Sequence, residues 1–230
     1  MLRRLGLAAV LAAALYGGYL LTREDRADAA RRQAFEQIYA KGLWATDPQG
    51  KGTSGGGSTL QATTLYRRFL QDFMAAYRIR SVVDAGCGDW EFSQALDWTG
   101  VDYLGVDIVP AVIEANKRRF EKPNIRFAVA DIVREELPAA DLLLVKDVMQ
   151  HLSNADIARF ARQFGRYRHV LLVNDVDPGS LTAEPRDIAS GRYRPIDPTR
   201  PPHSLPGKKI FAWRDPDGNT KIVVHLTSTH

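Results

Sequence analysis

The stretch that decides the fold is residues 79–89, IRSVVDAGCGD. A short run rich in β-branched residues ends near Asp84 and is followed at once by two glycines, Gly86 and Gly88. Such a run predicts a strand covered on both faces, and the glycines predict a sharp turn where the backbone can approach a ligand closely. The sequence therefore predicts a ligand site at the carboxyl end of a buried strand.

An alternation of strand and helix continues beyond this turn. Further strands are predicted in VDYLGVDI (101–108), NIRFAVADI (124–132), DLLLVKDVM (141–149) and RHVLLVNDV (168–176). Helices are predicted in WEFSQALDW (90–98), PAVIEANKRRF (110–120) and NADIARFARQFGRY (154–167). Ser153 or Asn154 is placed to cap the last helix, and Pro110 suits the first turn of the second. Regular alternation of this kind indicates βαβ units and a parallel sheet.

The C-terminal part of the chain has a different pattern. Seven of the twelve prolines fall between residues 178 and 209, which indicates a long irregular segment. KKIFAWRD (208–215) and TKIVVHLTS (220–228) then flank PDGN, and they predict a β-hairpin with Asp217-Gly218 at its turn. The predicted fold is therefore α/β, with a mostly parallel seven-stranded sheet closed by a C-terminal antiparallel hairpin.

Composition and patterning bound the organisation of the whole chain. With 230 residues and 45% hydrophobic content, the chain can bury one sizeable core. Residues 1–26 are predicted to be a membrane anchor or signal segment, 27–78 a helical leader with a Gly/Ser loop, and 79–230 the α/β domain. Within the leader, helices are expected over residues 23–41 and from about Leu60 to Tyr77, the second capped by Ser58 or Thr59.

Charge and cysteine content exclude several classes of protein. The net charge of +4 is mild and the basic residues are scattered, which does not indicate a nucleic-acid partner. The single cysteine, Cys87, excludes an intramolecular disulfide and a cysteine-based zinc site.

Residues 5–21, LGLAAVLAAALYGGYLL, carry no charge. Their number is close to the lower limit for a helix that spans a membrane. The alternatives are a signal anchor, a cleaved signal peptide and a buried helix. The anchor is favoured because no clean A-x-A cleavage site follows the apolar run. The flanking arginines conflict over orientation, since Arg3 and Arg4 favour a cytoplasmic N-terminus. A second group favours a domain on the cytoplasmic side: Arg23, Arg26, Arg31 and Arg32.

Three acids stand at the ends of successive predicted strands. Asp84 ends the first, Asp107 lies 19 residues beyond Gly88, and Asp131 ends the third. A carboxylate in the position of Asp107 can accept hydrogen bonds from both ribose hydroxyls of a nucleoside, and Asp131 can meet the adenine edge. One such acid alone would suit a turn or a helix cap, but the three together predict a nucleoside site.

With these motifs, residues 79–177 resemble the class I S-adenosylmethionine (SAM)-dependent methyltransferases, and the hairpin extends the resemblance to the C-terminus. The resemblance implies a Rossmann-like methyltransferase fold with SAM as cofactor. The residues that it places against the cofactor are Asp84, Gly86, Cys87, Gly88, Trp90, Asp107, Ile108, Asp131, Ile132 and Lys146. The chain departs from the commonest family pattern at Trp90, where a third glycine often stands.

An NAD site is the obvious alternative for such a sheet. Its fingerprint is G-x-G-x-x-G, and here Glu91 stands where the third glycine should be. An anionic pyrophosphate would also meet Asp84, Asp89 and Glu91, whereas a sulfonium cation would not be repelled.

The segment after the fourth strand is the predicted methyl-acceptor region. Lys146 to Leu152 resembles the Asp-Val-x-x-His-Leu stretch of small-molecule methyltransferases and lacks the Asn/Asp-Pro-Pro-aromatic motif of many nucleic-acid enzymes. His151 is a candidate general base, or else a packing residue, and Asp147 a candidate for orienting the acceptor. Asn174, Asp175 and Asp177 close the fifth strand, and carboxylates clustered there beside Asp147 could bind a divalent metal. Solvated turn residues are favoured instead, and no metal is predicted.

Two further segments have the character of dedicated site elements. GTSGGGSTL (52–60) is either a plain linker or a lid over the cofactor, and GRYRPID (191–197) is either a surface loop or part of the acceptor site. Both resemble a bacterial subset of the methyltransferases with a glycine-serine leader and a Tyr-Arg-Pro insertion. Asp175, Tyr193 and Arg194 are the predicted substrate-binding residues, with Arg192 able to grip an anion beside Arg194.

The predicted function is methyl transfer from SAM to a small-molecule or membrane-associated acceptor. A non-catalytic membrane-tethered module that binds SAM or a nucleoside is the main alternative, and a nucleic-acid methyltransferase is disfavoured. The protein is predicted to be anchored to the membrane by its N-terminal segment. Its domain is predicted to face the cytoplasm, because SAM is a cytosolic metabolite.

Overall fold

One seven-stranded sheet organises the computed structural model, which describes residues 25–45, 53–176 and 186–228. The strands are β1 (Ser81–Ala85), β2 (Asp102–Asp107), β3 (Ile125–Val129), β4 (Leu142–Lys146), β5 (His169–Val176), β6 (Lys208–Arg214) and β7 (Thr220–Thr227). Their spatial order is β3-β2-β1-β4-β5-β7-β6, with β1 to β5 parallel and β7 antiparallel to both of its neighbours. This confirms the predicted, mostly parallel sheet closed by a hairpin.

Four α-helices accompany the sheet in the described part of the chain. They are α1 (25–40), α2 (Thr64–Ala76), α3 (Pro110–Phe120) and α4 (Asn154–Ala161). Helix α3 begins with Pro110, and the Ser153 hydroxyl caps α4 by accepting a hydrogen bond from the backbone N–H of Asp156. Both helix starts agree with the sequence prediction.

The helix predicted over residues 90–98 is wrong, because the structure has only a short 3₁₀ turn there, Ser93–Ala95. The large apolar side chains of this stretch are all buried: Trp90, Phe92, Leu96 and Trp98. Positions two apart lie on nearly opposite sides of an α-helix, so one helix could not bury both Trp90 and Phe92 against a single face. Trp90 also has a positive φ of 60°, which lies outside the right-handed helical region.

Two other predicted helices are shorter than expected. Helix α2 starts at Thr64 instead of near Leu60. In the turn before it the hydroxyls of Thr63 and Thr64 donate back to the carbonyls of Thr59 and Leu60, which competes with regular helix. The predicted 154–167 helix ends as α4 at Ala161 and is followed by a separate 3₁₀ turn, Phe164–Arg166. Gly165 lies in that turn, and glycine costs about 1 kcal/mol relative to alanine inside a helix.

The predicted membrane segment, residues 5–21, lies outside the described residues. Within residues 25–45, 53–176 and 186–228, no helix combines the length and apolar character that crossing a bilayer would require.

The sheet is covered on both faces. Tyr66 and Phe73 of α2 pack with Tyr103 of β2 in one core cluster, and Phe160 of α4 packs with Tyr167 in the other. The cavity at the carboxyl ends of β1, β2 and β4 is lined by residues of α1 and by residues 54–58.

Candidate cofactor and acceptor site

A cavity of about 330 Å³ lies at the carboxyl ends of the central strands. Asp84, Asp107 and Asp131 all line it, and each is less than 10% exposed. The acids are far apart in sequence but share one cleft because parallel strands end at the same sheet edge. This convergence is what a nucleoside site at these strand ends requires.

The glycine turn after β1 forms the floor of the cavity. Gly86 and Gly88 have φ of +82° and +54°, a left-handed conformation that disfavours side chains. A Cβ at Gly86 would lie 2.4 Å from Cγ2 of Val148, and one at Gly88 would lie 2.4 Å from Oγ of Ser54. A side chain at either position would strain the backbone and displace Val148 or Ser54, so glycine preserves the shape of the turn.

Two buried carboxylates on this floor are short of positive partners. The Asp107 carboxylate accepts hydrogen bonds from the N–H groups of Gly88 (3.1 Å) and Val109 (3.0 Å), and Asp84 accepts one from the Tyr103 hydroxyl at 2.6 Å. Burial raises the pKa of Asp84 and of Asp107 to about 6. A cationic ligand would stabilise both in their ionised form, so the donor and acceptor set fits a sulfonium nucleoside with an amino group.

At the end of the cavity that is predicted to hold adenine, Asp131 joins the strand edge to helix α1. Its Oδ1 accepts a hydrogen bond from the N–H of Val133, and its Oδ2 lies 2.5 Å from Nη2 of Arg31. Arg31 is only 2% exposed and also pairs with Asp28 at 2.7 Å and Asp156 at 3.1 Å. Arg31 is thus an internal anchor of α1 against the domain, whereas its sequence position had suggested a membrane-flanking charge.

The glycine-serine segment is fastened directly above the glycine turn. The Asp89 carboxylate accepts from the backbone N–H and the hydroxyl of Thr53, at 2.7 and 2.9 Å. In return, the N–H of Asp89 donates to Oγ of Ser54 at 2.8 Å, and that oxygen lies 2.9 Å from the Tyr39 hydroxyl of α1. Residues 54–58 line the cavity, so this segment occupies the position expected of a cover over the cofactor.

A buried charge cluster forms the opposite end of the cavity. Lys146 Nζ donates to the Gly57 carbonyl (2.8 Å) and to Oδ2 of Asp147 (2.5 Å). Lys221 Nζ donates to Oδ1 of Asp147 (2.9 Å) and to Oδ1 of Asp175 (2.6 Å). Although burial acts to raise it, the two ammonium groups lower the pKa of Asp147 to about 2. Asp147 has a φ of +57°, so the end of β4 adopts an unfavourable backbone conformation that places this carboxylate between two lysines.

His151 lies beside the charge cluster with a defined tautomer. Its Nδ1 is 2.9 Å from the carbonyl oxygen of Arg192, and because a carbonyl can only accept, Nδ1 carries the hydrogen. Burial lowers the pKa of His151, which favours the neutral ring with a lone pair on Nε2. The rings of Trp44 and Tyr193 flank it at centroid distances of 4.7 and 5.8 Å.

Most of the predicted site residues share this cavity. Those lining it are Asp84, Gly86, Cys87, Gly88, Asp107, Ile108, Asp131, Ile132, Lys146, Asp147, His151, Asp175 and Tyr193. Tyr193 also donates a long hydrogen bond, 3.3 Å, from its hydroxyl to Oδ2 of Asp175.

Trp90 and Arg194 do not line the cavity, which disagrees with their predicted contacts. Trp90 points into the core and packs against Phe120 and Phe127, since its positive φ turns it away from the ligand side. Arg194 donates to the carbonyl of Leu152 and the side chain of Asn154, so its guanidinium holds residues 191–197 against the start of α4. Among the described residues, no group of three or more His, Cys, Asp and Glu side chains could hold a metal ion.

Several cavity residues were not predicted, among them Arg31, Tyr39, Trp44 and Lys221. The sequence contained an indication for Lys221, since this lysine directly precedes the apolar run IVV of a predicted strand. In the structure it is only 2% exposed. The other three belong to a leader whose helical pattern reveals nothing about which distant strand ends it will contact.

The strand order, the glycine turn and the three acids around one cavity agree with the Rossmann-like methyltransferase fold predicted from the sequence. Residues 82–169 match the protein family described as "Methyltransferase domain". The matched stretch runs from β1 into the start of β5 and therefore carries the glycine turn, all three acids and His151.

Among curated proteins, the chain is similar to magnesium-protoporphyrin O-methyltransferase of Rhodobacter capsulatus, with 30% identity over 126 residues. That alignment covers 54% of each chain, so the protein spans about half the length of the relative that it matches. Among solved structures, the N-methyltransferase NodS from Bradyrhizobium japonicum WM9, in complex with S-adenosylhomocysteine (SAH), superposes with a TM-score of 0.62. Its identity is 12%, and the match covers 85% of this chain and 98% of NodS.

A second structure shares the fold at lower similarity. Magnesium protoporphyrin IX methyltransferase from Synechocystis PCC 6803, with bound SAH, gives a TM-score of 0.51 at 14% identity, covering 73% of this chain and 84% of that one. The structural likenesses establish the fold. Together with the family match, they support a class I SAM-dependent methyltransferase domain with SAM as its cofactor.

Proposed function

We propose that this protein transfers the methyl group of SAM to a small-molecule acceptor. The observation that carries the proposal is the convergence of Asp84, Asp107 and Asp131 on one cavity floored by the Gly86–Gly88 turn. The curated relative supports a small molecule as the acceptor class, since it is named for methylating one.

The cofactor end would hold SAM through the three acids. Asp107 would accept from the ribose hydroxyls, Asp131 and Ile132 would frame the adenine, and Asp84 would face the amino group of the methionine part. Bound SAM would supply an electrophilic methyl group on a cationic sulfur. The glycine turn gives its backbone room beside Asp84, and residues 54–58 with α1 exclude water from above.

The acceptor end would hold the nucleophile between the charge cluster and His151. Neutral His151 offers Nε2 as the proton acceptor, while its Nδ1–H is held by the Arg192 carbonyl. Asp147 and Asp175 are each engaged by Lys221, so they position that lysine and do not compete with His151 for the proton.

Labelled methyl transfer tests this function. The full chain is incubated with methyl-labelled SAM and a small-molecule extract of its source cells, and products are separated by mass. We expect a labelled small molecule that is absent when Asp107→Asn replaces the unaltered protein and present with Asp102→Asn, a change to an exposed acid on the same strand. Cofactor binding without any labelled product would contradict catalysis and favour the non-catalytic module.

We also propose that residues 5–21 anchor the protein to a membrane with the domain on the cytoplasmic side. The support is the uncharged run itself, together with the cytosolic location of SAM. The full chain is expected in the membrane fraction after a carbonate wash, and its domain should be digested by protease only from the cytoplasmic side. Recovery in the soluble fraction, or protection from that side, would contradict the proposal.

A further inference from the structure

The buried charge cluster, which consists of Lys146, Asp147, Asp175 and Lys221, has hydrogen-bond donors that no other group in the described part of the chain accepts. An ammonium group has three hydrogens, and Lys146 and Lys221 each use two in bonds within the described part of the chain. Both oxygens of Asp147 and both of Asp175 already accept a bond from a lysine, Gln150 or Tyr193. Each ammonium group therefore keeps one N–H for a ligand, while the negative charges of Asp147 and Asp175 are already engaged by lysines.

Lys146 and Lys221 both line the cavity, beneath the covering segment. A Cβ at Gly57 would lie 3.1 Å from Nζ of Lys221 and 3.0 Å from Oδ2 of Asp147. Any other residue at position 57 would bring its Cβ into close contact with these charged atoms, so glycine lets the covering segment pack directly onto the cluster. The Lys221 side chain is only 3% exposed, and a bond made to it there would be weakly screened by water.

The neighbouring polar groups do not supply a competing partner. Asp215 also lines the cavity, but it accepts from the backbone and side chain of Asn219. His151 lies on the same side with its Nε2 lone pair available. The site thus combines a proton acceptor with two ammonium donors, which suits a group that becomes or already is an oxyanion.

We propose that Lys221, with Lys146, binds the methyl acceptor through an oxyanion, and that the acceptor atom is oxygen. This inference rests on the proposed methyl transfer and specifies its acceptor class. A carboxylate arrives already ionised, whereas an acidic hydroxyl gives its proton to Nε2 of His151. In either case the oxygen lone pair forms the bond to the methyl carbon, and the electrons of the broken sulfur–carbon bond stay on sulfur.

Binding of a simple anion tests the proposed oxyanion site at Lys221 and Lys146, and it does not require knowledge of the natural acceptor. Benzoate and benzylamine, which share a ring and differ in charge, are titrated into SAH-saturated protein and followed by NMR. We expect saturable binding of benzoate only, weakened at least about 10-fold in Lys221→Met because one charge-assisted hydrogen bond is lost. Lys208→Met, a change to an exposed lysine on β6, should leave benzoate binding unchanged.

The double variant Lys221→Met/Asp175→Asn guards against misfolding. It removes the ammonium group together with one of its carboxylate partners, while Lys146 still neutralises Asp147. The double variant should also bind benzoate at least about 10-fold more weakly than the unaltered protein. Unchanged benzoate affinity in either folded variant, or preferential binding of benzylamine, would overturn the proposal.

Measuring SAH affinity distinguishes an anion of the acceptor from the carboxylate of the cofactor as the partner of Lys221. The carboxylate of the cofactor is already in place in SAH-saturated protein, so a Lys221→Met protein that loses SAH affinity would show that Lys221 serves the cofactor and would overturn the proposal. The product of ¹³C-methyl transfer then identifies the acceptor: an alkali-labile methyl ester indicates a carboxylate, and an alkali-stable O-methyl group indicates a hydroxyl. A methyl group on nitrogen, sulfur or carbon would refute the oxyanion while leaving methyl transfer itself established.

Discussion

Replacing Asp107 with asparagine is expected to weaken SAM binding about 100-fold. The change removes the negative charge that accepts the ribose hydroxyls, and a hydrogen bond to a charged group contributes about 1.5–3 kcal/mol. Asparagine keeps the size of the side chain, but the N–H groups of Gly88 and Val109 use different carboxylate oxygens, so its single oxygen can accept from only one of them. The melting temperature of the variant is therefore measured alongside, to show that the turn remains folded. Titration calorimetry with SAM measures the loss. Asp102→Asn on the same strand is the control, and equal affinities in the two variants would contradict the assignment.

The pH dependence of binding should follow the same carboxylates. In the free protein, burial raises the pKa of Asp84 and of Asp107 from 3.8 to about 6, so the folded state binds these protons more tightly than the unfolded chain does. The free protein therefore loses stability as pH rises from about 4 to about 6, and a cationic ligand restores it. We expect SAM to raise the melting temperature more at pH 7.5 than at pH 5. A shift that does not depend on pH would show that these acids do not face the cation.

Replacing His151 with asparagine is expected to lower kcat by about 10²- to 10⁴-fold, the range for losing a general base. Asparagine can still donate a hydrogen bond toward the Arg192 carbonyl, so it keeps the Nδ1 interaction and removes only the Nε2 lone pair. Turnover is measured with the acceptor found by labelling, and the dissociation constant of SAM should not change.

Two outcomes are informative about the role of His151. Since burial lowers its pKa below 6.5, kcat of the unaltered protein should fall only at acidic pH, where the ring binds a proton. A kcat of the variant within about threefold of the unaltered protein would contradict a base role and indicate an acceptor that is already ionised, such as a carboxylate.

The cofactor half of the site was predictable because it depends on local order along the chain. A buried strand, the Gly86–Gly88 turn and an acid at each strand end are consecutive features, and parallel pairing alone brings Asp84 and Asp107 together. The hairpin was equally local, since Gly218 adopts a φ of +85° at the predicted turn.

Contacts between distant segments were not predictable in the same way. Arg31 reaches Asp131 across 100 residues, and nothing in a helical leader specifies that partner. The helix predicted for residues 90–98 does not form. The composition of this segment suits a helix, but its aromatic side chains are buried on two opposite sides of a loop. Lys221 could have been singled out, since a lysine that opens a buried strand requires a partner or a function.

Calorimetric titration of the unaltered protein with SAM at pH 7.5 is the most direct measurement of the central claim, that three strand-end acids and a glycine turn form one SAM site. We expect one molecule bound per chain, with a matching rise in melting temperature. Absence of both heat and stabilisation at millimolar SAM would contradict the claim.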